Sequence, residues 1–288
     1  MRDFDRIARR LITATNQPLA DRIAILKRLC PELVQQLERD RGPRGPLIFW
    51  GRCRNFDEHA GQVIVDQGIL ETIFHVANQR FSAEHPHAGL QHTYGYLLSV
   101  IDTPYGRKRD RWVRTSLESA FGLPPDVLGP SPTDGTLLAN ATWLAGSIAF
   151  QGHARLKWMQ RCLLKKVAHS LPDMRFDLLK KLRYTETVLL PMSRGSRSRV
   201  SLVTDLVRMP SVDRSRSGEN WLLVYSIDDD RNQHPQLVTL FTVTDEFVQA
   251  IRERAATRRR SDVRLSYNAH VSRFPTAEAS GTVQLVRR

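Results

Sequence analysis

Cysteine is scarce in this chain: Cys30, Cys53 and Cys162 are the three among 288 residues. The number is odd, the spacing is wide and there is no CxxC pair. A fully paired disulfide framework is therefore excluded, and a structural zinc knuckle has no ligand set. Buried free thiols in a reducing compartment fit this usage. Lysine is scarce as well, with only seven among 43 basic residues, the other 36 being arginine. Long apolar runs are missing. The most apolar stretch, 135–150, is interrupted by Asn140, Thr142 and Ser147, and it falls short of the roughly 20 residues that span a bilayer. The opening segment MRDFDRIARRLITATNQ carries Asp3 and Asp5 and has no long apolar core, so it does not read as a secretory signal. The expectation is a soluble cytoplasmic protein with no membrane contact.

Several familiar motifs are also absent. There is no P-loop, GxGxxG, GxSxG elbow or HExxH, which argues against the common nucleotide-dependent chemistries. No cofactor and no metal site are expected. No repeat period marks a solenoid.

What is present is a globular composition, 41% hydrophobic and 25% charged. A chain of this length forms one large domain or two ordinary ones and buries roughly three quarters of its surface. The net charge is +13, a field that favours anionic partners without bearing on fold. The guanidinium fork binds phosphate or carboxylate in a bidentate way. The coding bias of a GC-rich genome explains the same arginine excess with no function attached.

Hydrophobic periodicity divides the chain. Phe4, Ile7, Ala8, Leu11 and Ile12 form one helical stripe, and Ile23, Leu26 and Leu29 a second after Pro18. Pro31 breaks the chain before Leu33, Val34 and Leu37 begin a third. Residues 47–53, LIFWGRC, read as a short buried strand; 56–80 read as helix, capped by Asn55 and divided at Gly68. Further helices are expected over 108–121 and 153–170, on either side of a loop at 123–135. The segment 136–151 reads equally as a buried helix or as paired strands. From about residue 183 the pattern turns to β-branched runs separated by polar turns, TETVLL, RVSLVTDLV, WLLVYSI, QLVTLFTV, VRLSYNAHV and TVQLV. One helix interrupts them at 245–257, with Thr244 as cap, acids in its first turn and Phe247, Ile251 and Ala255 toward the sheet. The fold class expected is α+β, a helical N-terminal region (1–182) followed by a largely antiparallel sheet with one packed helix (183–288).

The densest polar constellation is 84–112. His85, His87 and His92 supply acid–base groups, and in extended chain His85 and His87 share a side. Glu84 or Asp102 serves to orient an imidazole, and Tyr94 and Tyr96 add hydroxyls. Arg107, Lys108, Arg109 and Arg111 offer an anion clamp. Proton transfer by histidine beside arginines that hold a phosphate or carboxylate makes a workable enzyme site. A solvated HPH loop and an exposed basic helix face account for the same residues equally simply. The leading functional expectation is an enzyme acting on a small anionic substrate by histidine acid–base chemistry.

The rival is nucleic-acid binding, extended to metal-independent ribonuclease action on the C-terminal sheet, where Tyr225, Thr239, Arg264, Tyr267 and His270 lie on expected strands. It draws on the arginine-rich segments 194–199, 208–216 and 252–260, whose phosphate contacts would be salt-sensitive and indifferent to sequence. A solvated face explains such runs as well. A basic scaffold for an acidic protein is the third reading.

Overall fold

The computed structural model describes residues 3–42, 46–57, 60–83, 86–103, 106–109, 181–191, 197–208, 221–229, 235–256, 269–270 and 284–286. The expected helices at 108–121 and 153–170 lie almost wholly outside these residues, as does the segment 136–151.

Three helices open the chain. Asp3 caps α1 (Phe4–Thr13), its carboxylate accepting from the Arg6 N–H at 3.0 Å. The stripe Phe4, Ile7, Ala8 and Leu11 is buried as its spacing requires. Helix α2 (Leu19–Leu29) begins after Pro18, and α3 (Pro31–Asp40) takes Pro31 in its first turn, where the missing N–H breaks no hydrogen bond. Leu26, Leu33 and Leu37 are fully buried, and each such side chain contributes about 1.5–3 kcal/mol by leaving water.

Two expectations for the next stretch need correction. Residues 47–53 are not one strand: Pro46–Phe49 form a 3-10 turn, and only β1 (Arg52–Cys53) is extended. Nor does Asn55 cap a helix. Its side chain brackets the Val65 backbone, accepting from Val65 N at 3.0 Å and donating to Val65 O at 2.6 Å. The single helix here is α4 (Gln67–Val76), capped by Asp66, whose carboxylate accepts from Ile69 N at 3.2 Å. Gly68 does not divide it. A Cβ at Gly68 would lie 2.9 Å from the Thr15 side chain, so the missing side chain lets α4 close on the end of α1. Periodicity alone could not separate a break from such a contact.

The C-terminal half forms a five-stranded antiparallel sheet in the order β5-β4-β3-β2-β7. Its strands are β2 (Lys181–Pro191), β3 (Arg197–Arg208), β4 (Trp221–Asp229), β5 (Gln236–Val243) and β7 (Gln284–Val286). Leu222, Leu223 and Val224 are all buried, so the β-branched and leucine runs reflect burial on both faces of β4. Helix α6 (Asp245–Ala256) follows β5 with Thr244 as its cap, the hydroxyl accepting from Phe247 N at 3.3 Å. Val248 and Ile251 carry its buried face and Phe247 packs at the rim. The α+β order is as expected, helices first and then the antiparallel sheet with one helix packed on it.

The described end of the VRLSYNAHV run, β6 (Ala269–His270), does not extend the meander. It pairs with β1 instead. The buried apolar side chains of α1–α4 and of β3–β5 belong to one contiguous cluster. The join runs along the sheet edge, where Trp50 bridges Leu237 in parallel and the Gly51 N–H donates to Leu237 O at 2.8 Å. Covering an edge strand in this way blocks pairing with another chain. Among the described residues no helix is long and apolar enough to cross a membrane.

Candidate active site around Arg52

Strand β1 is two residues long, yet both of its edges are paired. On one side Arg52 stands opposite His270 and Cys53 opposite Ala269. On the other, Arg52 bridges His87 in antiparallel fashion. That side is fixed by the Cys53 N–H donating to Pro86 O at 3.2 Å and the Ala88 N–H donating to Gly51 O at 2.8 Å. The HPH segment is thus drawn onto β1, and Arg52 has a histidine at the register position on each side.

His87 caps the short helix α5 (Ala88–Leu90), its Nδ1 accepting from Leu90 N at 3.3 Å. With the lone pair at Nδ1, the ring is the neutral tautomer that carries its proton on Nε2. Burial first, and then the charge of Arg52, lower the His87 pKa to about 4; backbone hydrogen bonds at His87 and Leu47 act the other way. The sign of the linkage follows. The unfolded chain titrates near pH 6.5, so it takes up this proton before the native state does. The stability contributed is complete above about pH 6.5 and is lost as pH falls toward about 4. Comparing urea unfolding across that window, we expect His87→Asn to flatten the profile by up to roughly 3 kcal/mol, since asparagine also caps but does not titrate. Parallel profiles for the two proteins would show that His87 titrates normally.

On Cys53's side of the segment the surroundings are closed. The Cys53 thiol lies 3.5 Å from Gln91 Oε1 and 3.6 Å from His92 Nε2, and burial raises its pKa far above the ordinary value. His92 stacks on Tyr96 with ring centroids 4.6 Å apart and meets Trp50 edge-on at 5.4 Å. Residues Gln91–Gly95 form a π-helical turn, a widened turn that is frequent at functional sites. All of these side chains are buried. A thiol held protonated and shut away from solvent is a poor nucleophile, so Cys53 and His92 act as packing for the layer beneath Arg52.

The residues singled out from sequence are therefore distributed among different surroundings. His87 comes to Arg52, and His92 lies in the core beside Cys53. Tyr94 is fully buried, and its hydroxyl donates to Asp40 Oδ2 at the end of α3; Gln36 Nε2 donates to the other carboxylate oxygen at 2.8 Å. The clamp residues meet carboxylates of the chain itself. Arg107 donates to Asp102 at 2.8 Å and to Asp5 at 2.7 Å, Arg109 donates to Asp5 at 2.8 Å, and Lys108 pairs with Asp57 at 2.5 Å. Partial burial works to raise the Asp5 carboxyl, but Arg109 and then Arg107 overcome it and hold it below the usual carboxylate range. These cations tie the segment before residue 110 to the start of α1 and to the loop at Asp57. Lys108 and Arg109 lie in a turn rather than at the start of a helix. Glu84, His85 and Arg111 lie outside the described residues.

On the sheet, Tyr225 and Thr239 are register partners on β4 and β5, whereas Arg264 and Tyr267 lie outside the described residues and His270 pairs away from both, on β1. Arg52 was missed as a candidate site residue because LIFWGRC reads as core strand, and only long-range pairing places it between histidines. Among the described residues no group of three or more His, Cys, Asp or Glu side chains is arranged to hold a metal ion. Compared with models of known protein families, with curated proteins and with solved structures, the chain matches none.

Proposed function

We propose that this protein is an enzyme acting on a small anionic substrate, phosphate- or carboxylate-bearing, with Arg52 binding the anion and His87 serving as an acid–base group. The observation that carries the reading is the bridge between Arg52 and His87. It sets a permanent cation beside a neutral imidazole, and both residues remain partly exposed. Arg107, Lys108 and Arg109 face carboxylates of the chain itself, and Arg52 is the cation set in register with His87 and felt by its imidazole. Binding at this site is coupled to a proton. An anion offsets the field of Arg52 and favours the imidazolium, so it raises the His87 pKa, and by reciprocity lower pH tightens the anion.

The test is titration of the full chain with inorganic phosphate, and separately with acetate, while the histidine ring signals are followed by NMR across pH. At least one anion is expected to move the His87 pKa from about 4 toward neutrality, and Arg52→Gln should remove the response. A His87 titration indifferent to both anions would sink the proposal.

Nucleic-acid binding remains the second reading, favoured by the net charge of +13. It predicts affinity for RNA or duplex DNA that weakens steeply with salt and that survives Arg52→Gln.

A further inference from the structure

We infer that the exposed face of helix α1, carrying Arg6, Arg9 and Arg10, docks the phosphate backbone of duplex nucleic acid. The inference rests on the nucleic-acid reading given above and places its contacts on α1 rather than on β1. At 3.6 residues per turn the three arginines fall within about a third of the helix circumference, on the side opposite the buried stripe of Phe4, Ile7, Ala8 and Leu11. All three are exposed. The sequence interleaves them with acids, but the fold engages those acids elsewhere. Asp3 caps the helix, accepting from the Arg6 N–H at 3.0 Å, and Asp5 is gripped by Arg107 at 2.7 Å and by Arg109 at 2.8 Å. Two guanidinium groups from about a hundred residues away thus neutralise the one carboxylate in the body of α1. Among the described residues no side chain pairs with Arg6, Arg9 or Arg10.

The chemistry of the face selects among anionic partners. A guanidinium grips the paired oxygens of a phosphodiester, and a duplex presents one such charge for roughly every 1.7 Å of its axis. A single strand is held by aromatic rings on which its bases stack, and α1 offers none outward, since Phe4, its one aromatic, is buried. An anionic membrane surface is held by basic side chains together with apolar ones that enter the lipid. The apolar stripe of α1 is part of the core, and the described large hydrophobic side chains that reach solvent, Phe56 and Val63, lie on another segment. Phosphate contacts carry no base information, so the binding is indifferent to sequence.

The experiment measures binding of the full chain, freed of nucleic acid, to a short labelled DNA duplex at several salt concentrations. One variant combines Arg6→Gln, Arg9→Gln and Arg10→Gln. A charge-matched variant combines Arg80→Gln, Arg208→Gln and Arg252→Gln, whose side chains are exposed elsewhere in the fold. A third places lysine at positions 6, 9 and 10. Glutamine and lysine are good helix formers, and circular dichroism with thermal unfolding checks each fold. Each phosphate contact contributes about 0.9 to the slope of log affinity against log salt, so the α1 glutamine variant should make that slope shallower by up to about 2.7 and weaken binding at about 0.1 M salt at least about fiftyfold. The charge-matched variant should change affinity by less than about fivefold, because charges beyond a Debye length of about 10 Å are largely screened. The lysine variant keeps every charge and should bind within about fivefold of the unaltered chain. Equal losses in the two glutamine variants, or a loss confined to the charge-matched one, overturn the inference and leave the nucleic-acid reading standing. No binding by the unaltered chain at low salt ends both. Vesicles containing phosphatidylserine are tested alongside. Vesicle capture that the α1 glutamine variant abolishes while duplex binding stays intact assigns the face to a membrane surface and overturns the inference as well.

Discussion

Replacing Gly89 by alanine is expected to destabilise the protein by about 3 kcal/mol, at the upper end of the range for overpacking a core. A Cβ at this position would lie 2.6 Å from both Cδ1 and Cγ of Trp50 and 2.9 Å from its Cβ. Real Cβ contacts essentially never fall below 3.0 Å, so one side has to move. Trp50 is 3% exposed, packs edge-on to His92 and bridges the edge of β5, so it has no vacant space to swing into. The remaining response is for α5 to lift, which pulls on the Ala88 N–H to Gly51 O bond and on the bridge between His87 and Arg52. The substitution should therefore lower the unfolding midpoint and weaken phosphate binding together. Gly61→Ala makes an informative companion. It meets no atom within 4 Å but has φ +66°, so its cost is backbone strain of about 1–2 kcal/mol, with no effect on phosphate. Chemical denaturation of the three proteins checks this. Equal midpoints for wild type and Gly89→Ala would show that Trp50 is not seated over residue 89.

The second large effect is expected in the sheet. Arg183 and Asp205 are register partners on β2 and β3. The guanidinium grips the carboxylate through two parallel bonds, Nε to Oδ1 at 2.8 Å and Nη2 to Oδ2 at 2.9 Å. Asp205 is fully buried while Arg183 reaches solvent. Truncating the arginine removes the fork from a buried carboxylate; in fully buried pairs such a change costs about 3–5 kcal/mol, and the solvent reach of Arg183 sets the expected loss at the low end of that range. Arg183→Met is thus expected to be severely destabilised. The double variant Arg183→Met with Asp205→Leu should recover most of the loss, because no charge is then left buried. Urea unfolding of the two single variants and the double variant measures the coupling directly. Additive losses would mean that the two side chains do not depend on each other.

Much of the architecture follows from local chemistry. Stripes at helical spacing, Pro18 and Pro31 at helix starts, the β-branched runs after residue 183 and the Thr244 cap each act over a few residues, and the helices and strands form where these signals lie. The errors fall where a local signal has a distant cause. Asn55 has the chemistry of a cap, but its amide faces Val65, ten residues away. Gly68 has the look of a helix break, yet it serves contact with Thr15 in the turn after α1.

The sequence by itself determined the fold class, the order of helices and sheet, and the charge that favours anionic partners, because each depends on composition or on short-range periodicity. Where each of these charges stands in the fold was decided by tertiary structure alone. Arg107 and Arg109 form a basic cluster along the chain, but folding brings Asp5 against both from about a hundred residues away. Arg52 was unremarkable within LIFWGRC, and folding sets it between His87 and His270. A single sequence holds both sets of residues, but strand register and ion pairing across such separations are settled only when the whole chain packs, since a partner's position depends on every turn between.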